Sequence, residues 1–158
     1  MSVEVIENGN LFESQAKYLV NAVNCIGIMG AGIAKQFADR YPEMYESYKT
    51  LCKAGAYEVG TIRVHPIKDG KNIVNFPTMK YPGSKAKLID IIKGLQSLKS
   101  RLKWDYDYDN TPITIAICAL GCGIGGLNPE DVLNEVKKVF DYTNWCNVEF
   151  YMPIETVE

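Results

Sequence analysis

The chain has 158 residues, 47% of them hydrophobic and 23% charged, with a formal net charge of −2 at pH 7, which is the balance of a globular domain without a general footprint for gripping long nucleic acid. Its five cysteines (Cys25, Cys52, Cys118, Cys122 and Cys146) are odd in number and contain no C-x-x-C pair, and His65 is the one histidine. That pattern indicates neither a disulfide framework nor a zinc site, and the thiols read as free thiols of a reducing compartment.

Val3 to Ile6 alternates as a short strand and ends in the turn ENGN. The N-terminal run SVEVIENG carries no basic-then-apolar leader, and no apolar stretch reaches the roughly 18 residues of a membrane span, so the expectation is a cytoplasmic protein with no membrane partner. Tyr18 to Ala22 is a brief apolar run that reads as a buried strand. A glycine-rich stretch follows, NCIGIMGAG, and from Ile33 the apolar positions Ile33, Ala34, Phe37, Ala38 and Tyr41 take helical spacing. Pro42 stops that helix and opens the next, which sets Met44, Tyr45, Tyr48, Leu51 and Cys52 on one face and ends at Gly55.

TIRVHP and NIVNF are two further strands, with His65 in a structural role, and PTMKYPGSK between two elements is a loop. Leu88, Ile91, Ile92, Leu95, Leu98 and Leu102 follow the 3.6-residue repeat of a helix. The next segment, KWDYDYDNTP, is polar and rich in turn residues and reads as a solvated connector. ITIAICAL is a continuous β-branched run, as in a strand covered on both faces. GCGIGGLNPEDV joins a second glycine loop to a helix start, with Asn128 as cap, Pro129 in the first turn, and Glu130 and Asp131 at the positive end of the dipole. Val132, Val136, Val139 and Phe140 give that helix an apolar face, and NVEFYM is the last strand. Strands alternating with helices predict one α/β domain over residues 1–158, with a mostly parallel central sheet covered on both faces.

In such a sheet, ligands sit beyond the C-terminal ends of the strands, where both glycine loops fall. Glycines let the backbone turn its N–H groups toward an anion, and a helix N-terminus adds a favourable dipole. Two such loops suit a diphosphate. Gly121, Gly123 and Gly126 spell G-x-G-x-x-G, but only one helix and one strand remain after them, too few for a nicotinamide-binding domain. Neither loop ends in G-K-[ST], which argues against nucleoside triphosphate hydrolysis. Asn21 and Asn24 carry amides able to read ribose hydroxyls, and Asn10, after the first strand, sits where a base could be recognised.

VNAVN (20–24), GIMGAGIA (27–34), NFPT (75–78) and ALGCGIGGL (119–127) recur in an order and spacing that resemble the macro domain family, and the similarity runs from Val3 to Met152. With GNLFES (9–14), these motifs look closest to the DarG-type branch, DNA ADP-ribosyl glycohydrolase antitoxins, and its TARG-like relatives. The resemblance implies a three-layer α/β/α fold that binds ADP-ribose and removes it from modified DNA or protein without a cofactor, opposite a cognate ADP-ribosyltransferase toxin. It implies Asn10 at the adenine, Leu11 beside it among the ligand-binding residues, Asn21 and Asn24 at the distal ribose, and Gly30, Ala31, Gly32 and Ile33 as the first phosphate loop. Gly121, Cys122, Gly123, Ile124 and Gly125 become the second phosphate loop, and Thr78 is a further ligand-binding residue.

Two catalytic positions depart from the family pattern. A lysine follows the threonine of FPT directly in the DarG- and TARG-like branches; here Met79 stands there and Lys80 comes one place later. The aspartate that TARG-like enzymes carry in the second loop is Gly125. Cleavage at the distal ribose passes through an oxocarbenium-like state, which a neutral lysine amine can intercept. Lys80, the lysine adjoining FPT, is therefore the expected nucleophile, with Asn24 orienting the sugar. Lys80, Lys85 and Lys87 form a local basic patch suited to an anionic substrate. Phosphatase action on ADP-ribose 1″-phosphate and a purely binding role are the alternatives.

Overall fold

The computed structural model describes residues 2–154. Six strands form one sheet in the order β1-β6-β5-β2-β4-β3. They are β1 (Val3–Ile6), β2 (Tyr18–Val23), β3 (Arg63–Pro66), β4 (Asn72–Pro77), β5 (Ile113–Cys118) and β6 (Cys146–Tyr151). Every pairing is parallel except β3 with β4. The edge strand β3 is only four residues long and ends in Pro66, both of which discourage pairing with another chain.

Alternation along the strands divides the core in two. Leu19 and Val23 of β2, Ile73 of β4 and Ala116 of β5 face α1 (Gly32–Arg40) and α2 (Pro42–Lys53), packing against Phe37, Met44 and Tyr48. Val20, Val74, Phe76, Ile115 and Ile117 face α3 (Leu88–Asp109) and α4 (Pro129–Phe140), meeting Leu95, Leu98, Val136 and Phe140. Each fully buried leucine or phenylalanine in these layers contributes about 1.5–3 kcal/mol. The result is the expected three-layer α/β/α arrangement. Pro42 is the first residue of α2, and Gly55 (φ +72°) ends it as a C-terminal cap, with the Ala56 N–H donating to Leu51 O at 2.9 Å.

One expectation is corrected. KWDYDYDNTP is not a connector: α3 continues to Asp109. The apolar stripe ends at Leu102, but other contacts carry the helix on. Arg101 pairs with Asp105 and Lys103 with Asp107, both one turn apart. The Tyr18 hydroxyl donates to Asp105 at 2.7 Å, and the Tyr106 ring lies 5.9 Å from that of Trp145. Asn110, at φ +57°, then closes the helix, its N–H donating to Tyr106 O at 2.7 Å.

Candidate functional site

β2 and β5 are parallel neighbours, and the chain leaves them in opposite directions: from β2 to α1 on one face, from β5 to α4 on the other. A crevice forms beyond the C-terminal ends of two strands arranged in this way. The two glycine loops flank it.

The first loop is shaped by Asn24. Its Oδ1 accepts from the N–H groups of Ile26 (3.1 Å) and Ile28 (3.4 Å) and from the Tyr48 hydroxyl (2.8 Å), while Nδ2 donates to Ile28 O (2.6 Å). Of the amide's hydrogen-bonding capacity, one N–H proton is left for a ligand. Gly27 turns the chain at φ +92°, and Met29 is buried beneath it. Ala31 occupies the N-cap of α1 in an extended conformation and offers no side-chain cap. The N–H groups from Gly30 through Ala34 find no acceptor among the described residues. An uncapped helix N-terminus of this kind favours an anion.

The second loop works differently. The N–H groups of Cys122, Gly126 and Leu127 are bonded within it, to Ala119 O, Gly123 O and Gly121 O. Those of Gly123, Ile124 and Gly125 have no acceptor among the described residues. The helix beyond carries its own cap: Asn128 accepts from the Glu130 N–H at 2.8 Å, and Glu130 and Asp131 fill the first turn of α4. The two loops thus differ: the first ends in an uncapped helix terminus, and the second holds its free amides ahead of a capped helix.

A third segment joins the two. After β4, the Thr78 N–H donates to Val23 O at 2.9 Å, and the Cys25 N–H donates to Lys80 O at 3.0 Å. Further on, the Ala86 N–H donates to Gly125 O at 3.0 Å. Residues 78–86 therefore bond to the first glycine loop at one end and to the second at the other. Thr78 is buried, Met79 half-buried and Lys80 exposed, with Lys80 Nζ 5.5 Å from the centre of the Tyr81 ring. Lys85 Nζ lies at the second loop, 3.3 Å from where a β-carbon on Gly126 would stand.

The remaining expected residues divide by depth. Gly32 (φ +58°) and the half-buried Ile33 open α1, and Ile124 is exposed at the tip of the second loop. Asn10 is exposed at the same end of the sheet, after β1, and its Oδ1 accepts from the Phe12 N–H at 3.0 Å. Leu11 is buried in the α1/α2 core layer. Asn21 corrects the expectation of direct sugar contact: it has no exposed surface, and its Nδ2 donates to Asn75 Oδ1 (3.2 Å) and Met29 Sδ (3.8 Å). It supports the first loop from below.

Burial raises the thiols near the crevice: Cys25 above its ordinary value, Cys122 to about 11 with help from Asp131, and Cys118 to about 12. At neutral pH they are protonated and are not nucleophiles. Sequence reasoning missed Tyr48 as the brace of Asn24, and also missed Lys85 and Ala86 at the second loop. Tyr48 was visible only as one apolar-face position of α2, and nothing local marks Ala86 as a contact of Gly125.

Residues 20–136 match the Macro domain family. A relative from Mycobacterium tuberculosis named DNA ADP-ribosyl glycohydrolase is 36% identical over 149 residues, which is 92% of this chain and 41% of that protein. A Thermosipho africanus protein named as a DNA ADP-ribosyl transferase–DNA ADP-ribosyl glycohydrolase fusion is 29% identical over 139 residues, covering 75% of this chain and 34% of the fusion. The chain thus spans less than half the length of these curated relatives. The solved macrodomain of M. tuberculosis DarG superposes with a TM-score of 0.84 at 37% identity, covering 95% of this chain and 98% of that one. The glycine loops at the switch point, the sheet order and these matches together establish that the chain belongs to the macro domain family.

Proposed function

We propose that the crevice binds ADP-ribose and that the protein hydrolyses the bond joining ADP-ribose to modified DNA. The observation that carries the reading is a run of amides in each glycine loop, Gly30–Ala34 and Gly123–Gly125, which find no acceptors among the described residues and can take the two phosphates. The name of the M. tuberculosis relative supports the reaction. The substrate must be made by an ADP-ribosyltransferase, and the T. africanus fusion, whose name joins the two activities, supports such an enzyme as partner.

In this reading the diphosphate is held by the amides, and the distal ribose lies toward Asn24 and the 78–86 segment. Lys80 is the candidate nucleophile. Its amine attacks the anomeric carbon as the glycosidic bond breaks; the bonding pair leaves with the base, which takes up the proton that the amine gives up. Water then releases ADP-ribose from the amine. Lys80 is backed by the hydrogen bond of its own carbonyl to the Cys25 N–H, which ties its backbone to the first glycine loop.

The test is turnover of an ADP-ribosylated oligonucleotide beside an ADP-ribosylated protein, with calorimetry of ADP-ribose. ADP-ribose release from the oligonucleotide is expected. Lys80→Ala should lower kcat by at least about 100-fold with ADP-ribose affinity little changed. A fully active Lys80→Ala removes Lys80 as nucleophile. Tight binding without turnover of either substrate leaves a binding module, and phosphate release from ADP-ribose 1″-phosphate alone makes it a phosphatase. Failure to bind ADP-ribose ends the whole reading.

A further inference from the structure

Away from the crevice, a cavity of about 210 Å³ opens at the sheet edge where α2 passes β3. Its inner wall includes Tyr48, Tyr57 and Asn75, each more than nine-tenths buried, and its outer wall includes Arg63, His65 and Arg101. No aspartate or glutamate lines it.

The donors around it are fixed in place with capacity to spare. Arg63 Nε donates to Ala56 O at 3.0 Å, and its guanidinium lies 5.7 Å from the centre of the Tyr57 ring. Arg101 Nε donates to both oxygens of Asp105, at 3.1 and 3.3 Å. Both guanidinium groups are thus held at Nε, and their terminal Nη groups have no acceptor among the described residues. The Tyr57 hydroxyl accepts from Asn75 Nδ2 at 3.1 Å, but no acceptor among the described residues takes its own proton. Guanidinium forks and a buried hydroxyl around a void without carboxylates match the needs of an oxyanion. The volume falls below the roughly 300 Å³ at which pockets begin to hold drug-sized ligands, so the occupant is small.

We propose that this cavity is a second ligand site, for a compact oxyanion of the phosphate or carboxylate class, and that its occupancy steadies the first glycine loop. The inner wall is hydrogen-bonded to that loop and to its support. The Tyr48 hydroxyl donates to Asn24, at 2.8 Å to both its carbonyl oxygen and Oδ1. Asn75 Oδ1 accepts from Asn21 Nδ2, which also reaches Met29. An anion that anchors Tyr57 and Asn75 holds these braces in their ligand-ready positions and tightens ADP-ribose binding, and ADP-ribose tightens the anion in return. The coupling rests on the ADP-ribose reading; the anion site does not.

Thermal melts in sodium phosphate, in sodium acetate and in sodium chloride at matched ionic strength test the site. Phosphate or acetate, but not chloride, should raise Tm by about 3–5 °C for each tenfold excess over Kd, and the more effective of the two identifies the class. Arg63→Gln, at an exposed position, should melt like wild type in chloride and lose that shift; Tyr57→Phe should lose most of it. No shift with either oxyanion overturns the site. So does an equal shift in Arg63→Gln, which is the result expected if the anion enters the crevice instead. For the coupling, the ADP-ribose Kd in the effective oxyanion relative to chloride should be at least twofold lower for wild type than for Arg63→Gln. Equal ratios overturn the coupling. Loss of ADP-ribose binding in every condition, with the Tm shift intact, overturns the proposed function and leaves the anion site standing.

Discussion

A β-carbon at Gly125 would stand 2.6 Å from the Gly121 carbonyl oxygen and 2.9 Å from Cβ of Ala86. No side chain enters there without moving backbone, so the aspartate that TARG-like enzymes carry at this point does not fit this loop. Gly123, by contrast, has open space around its β-carbon position. Gly125→Ala is therefore expected to destabilise the protein by about 1–3 kcal/mol and to weaken ADP-ribose binding at least tenfold, with Gly123→Ala close to wild type in Tm. Melting curves and calorimetry on the two variants check this, and equal behaviour would contradict it. The glycine turns were readable from the sequence because they act through local geometry, whereas the bonds of Asn24 to Ile26, Ile28 and Tyr48 were not. Which amides stay free was not, because that depends on partners far along the chain: Lys80 for Cys25, Gly125 for Ala86. Asn21 and Asn24 are the same residue type three positions apart, yet one braces from below the loop and the other from within it, a difference set by where β2 ends.

At the scale of elements, α3 carries the clearest lesson. Its first four turns were legible as an apolar stripe against the sheet, like the strands and the caps of α2 and α4. Its last turns were not, because Tyr18, Trp145 and two ion pairs hold them in place of a stripe. Within the helix, Gly94 is buried against Phe76, and a β-carbon there would lie 2.3 Å from Cζ of the ring. Helix propensity alone favours Gly94→Ala by about 1 kcal/mol. The close ring reverses the sign, and the substitution should destabilise by about 1–3 kcal/mol net, measured by denaturant unfolding. A stabilised Gly94→Ala would mean that Phe76 moves aside freely. Displacement of Phe76, in β4, would also disturb the strand that leads into the 78–86 segment.

The molecule as a whole stores its thiols in protonated form. Burial pushes Cys118 and Cys146 to about 12 and Cys122 to about 11, against 9.0 for an ordinary thiol. In the unfolded chain these groups lose protons from about pH 9, while the folded chain keeps them, so stability is unaffected by them at neutral pH and falls as pH rises through the window from 9 to 11. A thiol whose proton is fully withheld contributes a slope of about 1.4 kcal/mol per pH unit. Tyr18, raised by burial and by Asp105, adds to the loss above pH 10. Melts in reductant from pH 7 to 10.5 should be flat at first and then decline. Cys146→Ala should decline less steeply, and an unchanged Tm at pH 10.5 would contradict the mechanism. The 78–86 segment, bonded at its two ends to loops that lie some fifty residues before it and forty after it, has a consequence for synthesis. A nascent chain that has passed residue 86 holds one glycine loop and the 78–86 segment, but nothing for that segment's far end to grip. The second amide run arrives only with residues 121–127, after β5 has taken its place beside β2. A ligand that needs both sides therefore selects finished molecules, and its binding stabilises the completed fold without trapping any shorter intermediate.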